Sequence, residues 1–263
     1  MRKIKLFSNN NDKSKSIENL LESKLKGKFI ISNDNYDLAI AIGGDGAFLR
    51  MLKNTNFDKN IYYIGINTGT LGFLQEIKPK QIDEFVERLE NQDYKVEEIS
   101  IQKTIIYMQN EKYEFYSLNE IVIREKELNT LITDIKVDNV ELEKFVGDGI
   151  LISTSVGSTA YNLSFGGSIV YNTLHTLQIT PIAPLNNRAY RNLLNSIVVP
   201  EDKLITIILN EEKQNVIVTI DGENKTFENV IKIETSVSED KIKCIRMNDY
   251  DFISVVNEKF LKD

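Results

Sequence analysis

The chain has 263 residues, 41% hydrophobic and 27% charged, with a formal net charge of −7. That is enough for one large or two modest soluble domains, and the acidic balance argues against a nucleic-acid binder, which should carry a basic face. One cysteine, Cys244, excludes an intrachain disulfide, and with a single histidine it excludes a structural zinc site. No apolar run approaches the roughly 20 residues needed to span a membrane, and no signal segment opens the chain, so a cytoplasmic location and no membrane partner are expected.

The first hundred residues alternate strand and helix signals. Ile4 to Phe7 predicts a strand. Ile17, Leu20, Leu21 and Leu25 share a helical face, with Ser16 as expected N-cap and Gly27 at the end. Leu38 to Ile42 is a continuous apolar run that reads as a buried strand. It leads into Gly43-Gly44-Asp45-Gly46 and then the helical stretch Ala47 to Leu52. Ile61 to Ile66 is the next strand, followed by the turn from Asn67 through Thr70 to Gly72. Ile82, Phe85, Val86 and Leu89 mark another amphipathic helix. Strands alternating with helices imply a doubly wound parallel sheet, in which ligands bind at the carboxyl ends of strands.

Beyond about Val96 the texture becomes β-rich. Strands are expected at Ile99–Met108, Tyr113–Ile123, Leu131–Val137, Val140–Phe145, Ile150–Ser153, Leu204–Leu209, Val216–Ile220 and Val230–Ile233, with turns at Gln109–Glu111 and Asp138-Asn139. A helical interruption falls near Ser158–Phe165, and the tail from Asp251 to Leu261 regains helical spacing. The expected fold is α/β plus mainly-β. A Rossmann-like domain covers 1–98 plus 248–263, and a β-sandwich-like domain covers 99–247, with the C-terminal helix returning to the first.

Two clusters carry chemistry. In Gly43–Gly46, glycines at a strand end let backbone N–H groups approach a phosphate with no Cβ in the way, and a helix start favours anions. A carboxylate there repels phosphate by itself, so Asp45 makes sense as a base or metal-positioning group for phosphoryl transfer; alternatively the turn is only a cap. The second cluster runs from Gly147-Asp148-Gly149 through Ser158-Thr159-Ala160-Tyr161-Asn162-Leu163-Ser164 to Gly167. Small residues admit a flat ligand, hydroxyls exchange hydrogen bonds and Tyr161 offers a ring face. Asp221-Gly222 reads as a hairpin turn, His175 as an incidental loop or packing residue, and Cys244 as a small buried hydrophobe. Arg188 and Arg191 fit either phosphate or intersubunit contacts or a plain surface role.

Taken in order, Gly43–Gly46, Asn67–Phe73, Asn119-Glu120, Asp148 through Ser164, and Asn186-Asn187-Arg188 resemble the motifs of bacterial NAD kinases. Gly-Gly-Asp-Gly also occurs in lipid kinases and 6-phosphofructokinases; the run Gly157–Ser164 does not. The resemblance implies transfer of the γ-phosphoryl of ATP, or of polyphosphate in some members, to the 2′-hydroxyl of the adenosine ribose of NAD, with Mg²⁺ carried by the phosphates and no protein metal ligand assigned. It makes Asp45 the catalytic base; with an ordinary pKa of about 3.9 an aspartate is a weak base for an alcohol, so positioning should dominate. Gly44 and Gly46 would leave room for the pyrophosphate. Asn119, Glu120 and Asp148 would hydrogen-bond the NAD, Ser158 and Thr159 to Ser164 would line the nucleotide pocket, and Phe73 and Ala183 would supply apolar walls. A homo-oligomer, dimer or tetramer, is implied as well. The chain departs from the pattern at Val146, where many members have a basic residue, at Thr70, where histidine is common, and at Glu223, where histidine or glutamine is common. A lipid kinase of the same superfamily, or a non-catalytic NAD-binding sensor, is the alternative. A dehydrogenase is disfavoured, since no G-x-G-x-x-G opens a helix after the first strand.

Overall fold

A computed structural model describes residues 2–69, 72–127, 129–209 and 215–262. The expected turn residue Thr70 lies outside them. The residues group into two compact units, 1–99 with 241–263 and 100–240.

In the first unit β1 (Lys3–Ser8), β2 (Ile30–Ile31), β3 (Leu38–Gly43) and β4 (Tyr62–Asn67) form a parallel sheet in the order β2-β1-β3-β4. Lys243 and Cys244 add a further parallel neighbour beside Tyr62 and Tyr63. Leu38 to Ile42 are all fully buried, as a central strand of a parallel sheet requires, because helices cover both faces. Helix α1 (Asp12–Leu25) buries Leu21 and Leu25. Its N-cap is Asn11, whose side chain accepts the Ser14 N–H at 2.9 Å, and not Ser16 as expected. The hydrophobic period cannot locate a cap five residues upstream, whereas the Asx side chain can. Gly27 ends the helix at φ +82°, the left-handed position glycine fills without strain. Helices α2 (Asp45–Asn54) and α3 (Ile82–Asn91) and the C-terminal helix Phe252–Phe260 complete the unit. Cys244 is buried as expected, and burial pushes its thiol pKa up to about 12.

The second unit is antiparallel. The strands are β5 (Lys95–Met108), which begins among residues of the first unit, β6 (Lys112–Ser117), β7 (Glu120–Glu125), β8 (Leu131–Val137), β9 (Val140–Gly147), β10 (Gly149–Thr154), β11 (Thr176–Ile182), β12 (Ile197–Pro200), β13 (Ile205–Leu209), β14 (Val216–Ile220), β15 (Glu223–Phe227) and β16 (Val230–Arg246), which ends among them. One sheet runs β12-β11-β10-β7-β14-β15; on the other, β16, β13, β8 and β9 pair in turn. Their inner faces share one core, with Ile123, Ile150 and Ile179 from the first and Ile135, Ile207 and Ile233 from the second. The expected strand Tyr113–Ile123 is two strands broken at Leu118-Asn119, because the Leu118 and Asn119 amides turn to a carboxylate instead of a neighbouring strand. Strands β11, β12 and β15 were not expected. Their alternation is short, and in β15 four of five residues are exposed, leaving little hydrophobic signal.

Candidate active site

Within the first unit, Asp45 is the first residue of α2 and Gly44 its N-cap, at the carboxyl end of β3. Gly43 is closely packed: a Cβ there would lie 2.6 Å from the Ala47 Cβ and 2.7 Å from the Asn9 amide. The half-buried Asp45 carboxylate accepts the Phe73 N–H at 2.9 Å on Oδ2 and the Leu74 N–H at 3.0 Å on Oδ1. Gly72 admits no side chain, since a Cβ would sit 1.8 Å from Asp45 Oδ1. Gly46 is exposed and Gly44 meets nothing within 4 Å of where a Cβ would be, so the outer face of the turn is open to a ligand. Phe73 packs its ring 5.3 Å from that of Phe260, with Lys259 Nζ 5.7 Å from its centroid.

Within the second unit, Asn119 and Glu120 are buried at the start of β7. Asp221, in the β14–β15 turn at φ +45°, accepts the N–H groups of Leu118 and Asn119 at 2.8 Å each and of Glu120 at 3.3 Å. The hairpin turn expected at Asp221-Gly222 exists, and its carboxylate also shapes the Asn119-Glu120 corner, which the dipeptide pattern alone did not indicate. Gly157 lies directly on that corner: a Cβ would come within 2.0 Å of the Asn119 carbonyl oxygen. Burial, reinforced by Asp221, pushes the Glu120 pKa up to about 8, while the Tyr161 N–H opposes the shift. Glu120 Oε2 has no hydrogen-bond partner among the described residues.

The hydroxyl-rich loop divides by direction. Ser158 and Asn162 are fully buried. The Ser158 hydroxyl accepts the Val170 N–H at 2.9 Å, and Asn162 accepts from Thr180 Oγ1 at 2.6 Å and donates to Ser158 O at 3.3 Å. These two therefore hold the loop's shape. Tyr161 and Ser164 are exposed; Thr159, Ala160 and Leu163 are half-buried. The Tyr161 ring meets Phe165 edge-on at 4.8 Å. Asp148 is exposed between β9 and β10, its N–H donated to Ile182 O at 3.0 Å beside Ala183, which is itself exposed at φ +45°.

Sequence reasoning passed over Arg124. It follows Glu120 and Val122 on alternate positions of β7, which put it on their face of the sheet. Its guanidinium stands 5.9 Å from the Tyr161 ring and 5.8 Å from that of Phe165, and Nη2 donates to the Tyr161 hydroxyl at 3.2 Å. Among the described residues it makes no ion pair, so its charge is available to a ligand. At Val146 the side chain is buried and the backbone is held on both sides by Asn192, leaving no cation at that position. His175, read as incidental, exchanges a hydrogen bond with Ser100 Oγ at 2.8 Å. Arg188 and Arg191 are both exposed.

A glycine turn thus pins a carboxylate at a helix start in a parallel α/β unit, and an antiparallel unit of two sheets follows in the chain. A structure of yeast NADH kinase complexed with NADH matches the fold at TM-score 0.88 and 19% identity, over 100% of this chain and 89% of that one. An NAD kinase from Archaeoglobus fulgidus in complex with ATP matches at TM-score 0.75 and 24% identity, over 98% of each. Residues 5–94 match the ATP-NAD kinase N-terminal domain and residues 118–247 the ATP-NAD kinase C-terminal domain. The NAD kinase of Finegoldia magna is 38% identical over 98% of this chain and 97% of its own length, and that of Streptococcus gordonii 35% over 92% and 88%. The chain belongs to the NAD kinase family, and it is a phosphotransferase.

Proposed function

We propose that this chain transfers the γ-phosphoryl of ATP to the 2′-hydroxyl of the adenosine ribose of NAD, giving NADP. The observation that carries this reading is the Asp45 carboxylate, held on both oxygens at an open glycine turn in a chain of this family. Asp45 polarises the acceptor hydroxyl and takes its proton as the O–P bond forms and the bond to ADP breaks. The open backbone at Gly44 and Gly46 receives phosphate oxygens at the start of α2, where N–H groups and the helix dipole favour anions. Asn119, Glu120 and Asp148, with Thr159, Tyr161 and Ser164 of the loop and Ala183 beside Asp148, hold the dinucleotide, and Phe73 borders the Asp45 turn. Arg124 offers the guanidinium that Val146 does not.

Mg²⁺ fits this reading as an ion brought by the ATP phosphates. Among the described residues no group of three or more His, Cys, Asp or Glu stands ready to hold an ion, and Mg²⁺ commonly needs only one or two carboxylates besides phosphate oxygens. Held there, it would neutralise charge on the transferred phosphoryl, and Asp45 is the residue of the turn that could add a protein oxygen ligand. Among the described residues no helix is long and apolar enough to cross a membrane. A cytoplasmic location and a dimeric or tetrameric state belong to the same reading, the first supported by the single, buried cysteine.

The test is direct. Purified protein incubated with NAD, ATP and Mg²⁺ should form NADP, and chelation with EDTA should stop it. Saturable NAD binding with no NADP formed would replace the enzyme by a sensor.

A further inference from the structure

Asp45 is held by a segment about thirty residues downstream, and that segment makes a third hydrogen bond to the turn. Gln75 Nε2 donates to the carbonyl oxygen of Gly44 at 2.8 Å. Three consecutive residues therefore grip two: Phe73 and Leu74 hold the Asp45 carboxylate by their N–H groups, and Gln75 holds the peptide immediately before it. Gly44, the N-cap of α2, has no side chain of its own, and the Gln75 amide ties its peptide to the downstream segment. Gln75 is only 2% exposed, and its amide lies against Gly65 of β4, where a Cβ would fall 2.0 Å from Oε1. The segment is fixed in turn from behind. Glu76 and Ile77 both donate their N–H groups to Gly65 O at 3.1 Å. The Glu76 carboxylate accepts the Met247 N–H and pairs with Arg246 at 3.2 Å.

We infer that Gln75 is a positioning residue for the phosphoryl-transfer step: it sets where Asp45 stands relative to the acceptor hydroxyl. This rests on the reading of Asp45 as the group that faces that hydroxyl. Gly44 O also accepts the Ala47 N–H at 2.8 Å, so losing the Gln75 donor leaves the carbonyl satisfied and disturbs stability little. The turn then has freedom to drift relative to Phe73 and Leu74, and misplacements well below an ångström matter for a reacting group. Removal of the donor should therefore fall on kcat and spare KM.

The experiment compares Gln75→Leu, Gln75→Glu and wild type in steady-state NADP formation with ATP and Mg²⁺, alongside thermal melting. Gln75→Leu should lower kcat about tenfold or more, with KM for NAD and ATP within about threefold and a cooperative melt retained. In Gln75→Glu a buried protonated carboxyl can donate to Gly44 O, whereas the carboxylate cannot and repels it. The ratio of its kcat to wild type should therefore fall steadily from pH 6 to pH 9. A kcat for Gln75→Leu within twofold of wild type overturns the inference, as does a Gln75→Glu ratio that does not change with pH. The glutamate variant carries its own comparison even if the leucine variant fails to fold. Full activity in Asp45→Asn would instead remove the underlying reading, a separate result.

Discussion

Asp221 Oδ1 accepts the backbone N–H of Asn119 at 2.8 Å across 102 residues of sequence. With Leu118 and Glu120 added, one carboxylate satisfies three consecutive amides that leave the β-ladder at the β6–β7 break. Charge-assisted bonds of this kind contribute about 1.5–3 kcal/mol each. Asp221→Asn keeps the shape but loses the charge and turns an NH₂ toward N–H donors. It should lower Tm by roughly 5–10 °C and weaken NAD binding measurably, read by calorimetry. Unchanged Tm and affinity would show that the corner is set by the β7 pairing alone.

Glu120 gives the fold a pH dependence of definite sign. Its pKa is near 8 in the folded chain against an ordinary 4.5, so the native state binds the extra proton between those values. The stability due to that proton is fully present below about pH 4.5, declines as pH rises, and is gone once pH passes about 8. Glu120→Gln, which stays neutral, should be flatter than wild type in urea-melt stability between pH 6 and 9. Parallel profiles for the two proteins would assign the slope to other groups.

Gly157 has no room for a methyl group, because the Asn119 carbonyl it would meet belongs to backbone held by Asp221 and by the Thr154 N–H at 2.9 Å. Overpacking against fixed backbone costs about 3 kcal/mol. Gly157→Ala should therefore unfold at clearly lower urea than wild type. Gly44→Ala, with nothing within 4 Å of the new Cβ, should not show this steric loss.

Arg124→Gln tests the guanidinium beside Tyr161, which makes no ion pair among the described residues. If that charge meets a phosphate of the dinucleotide, KM for NAD should rise about tenfold, with kcat within about twofold. The salt dependence of NAD binding should also flatten. A variant that matches wild type in both would leave Arg124 as a support for the Tyr161 and Phe165 rings.

Much of the fold was legible because its signals are local. The run Leu38–Ile42 reads as a strand buried on both faces, and the glycines and Asp45 after it as a turn feeding a helix, which is what the fold contains. The alternation at Leu131–Val137 and Val216–Ile220 fixed those strands to the residue. Elements with weak periodicity were not legible: β15 is almost wholly exposed, and β12 has four residues. Motif order was enough to indicate the family and the residues to inspect.

What each of those residues does depended on partners far away in the chain. Sequence could name Asp45, but not that the amides of Phe73 and Leu74 hold it, nor that Gln75 grips the peptide before it. It could read Asp221 as a turn residue, but not as the anchor of Asn119 and Glu120. It treated Ser158 to Ser164 as one lining, whereas the fold turns Ser158 and Asn162 inward and leaves Tyr161 and Ser164 outside. Composition and period encode which backbone a segment prefers. The direction of a hydrogen bond, the burial that raises a pKa and the space left for a methyl group exist only once distant segments pack.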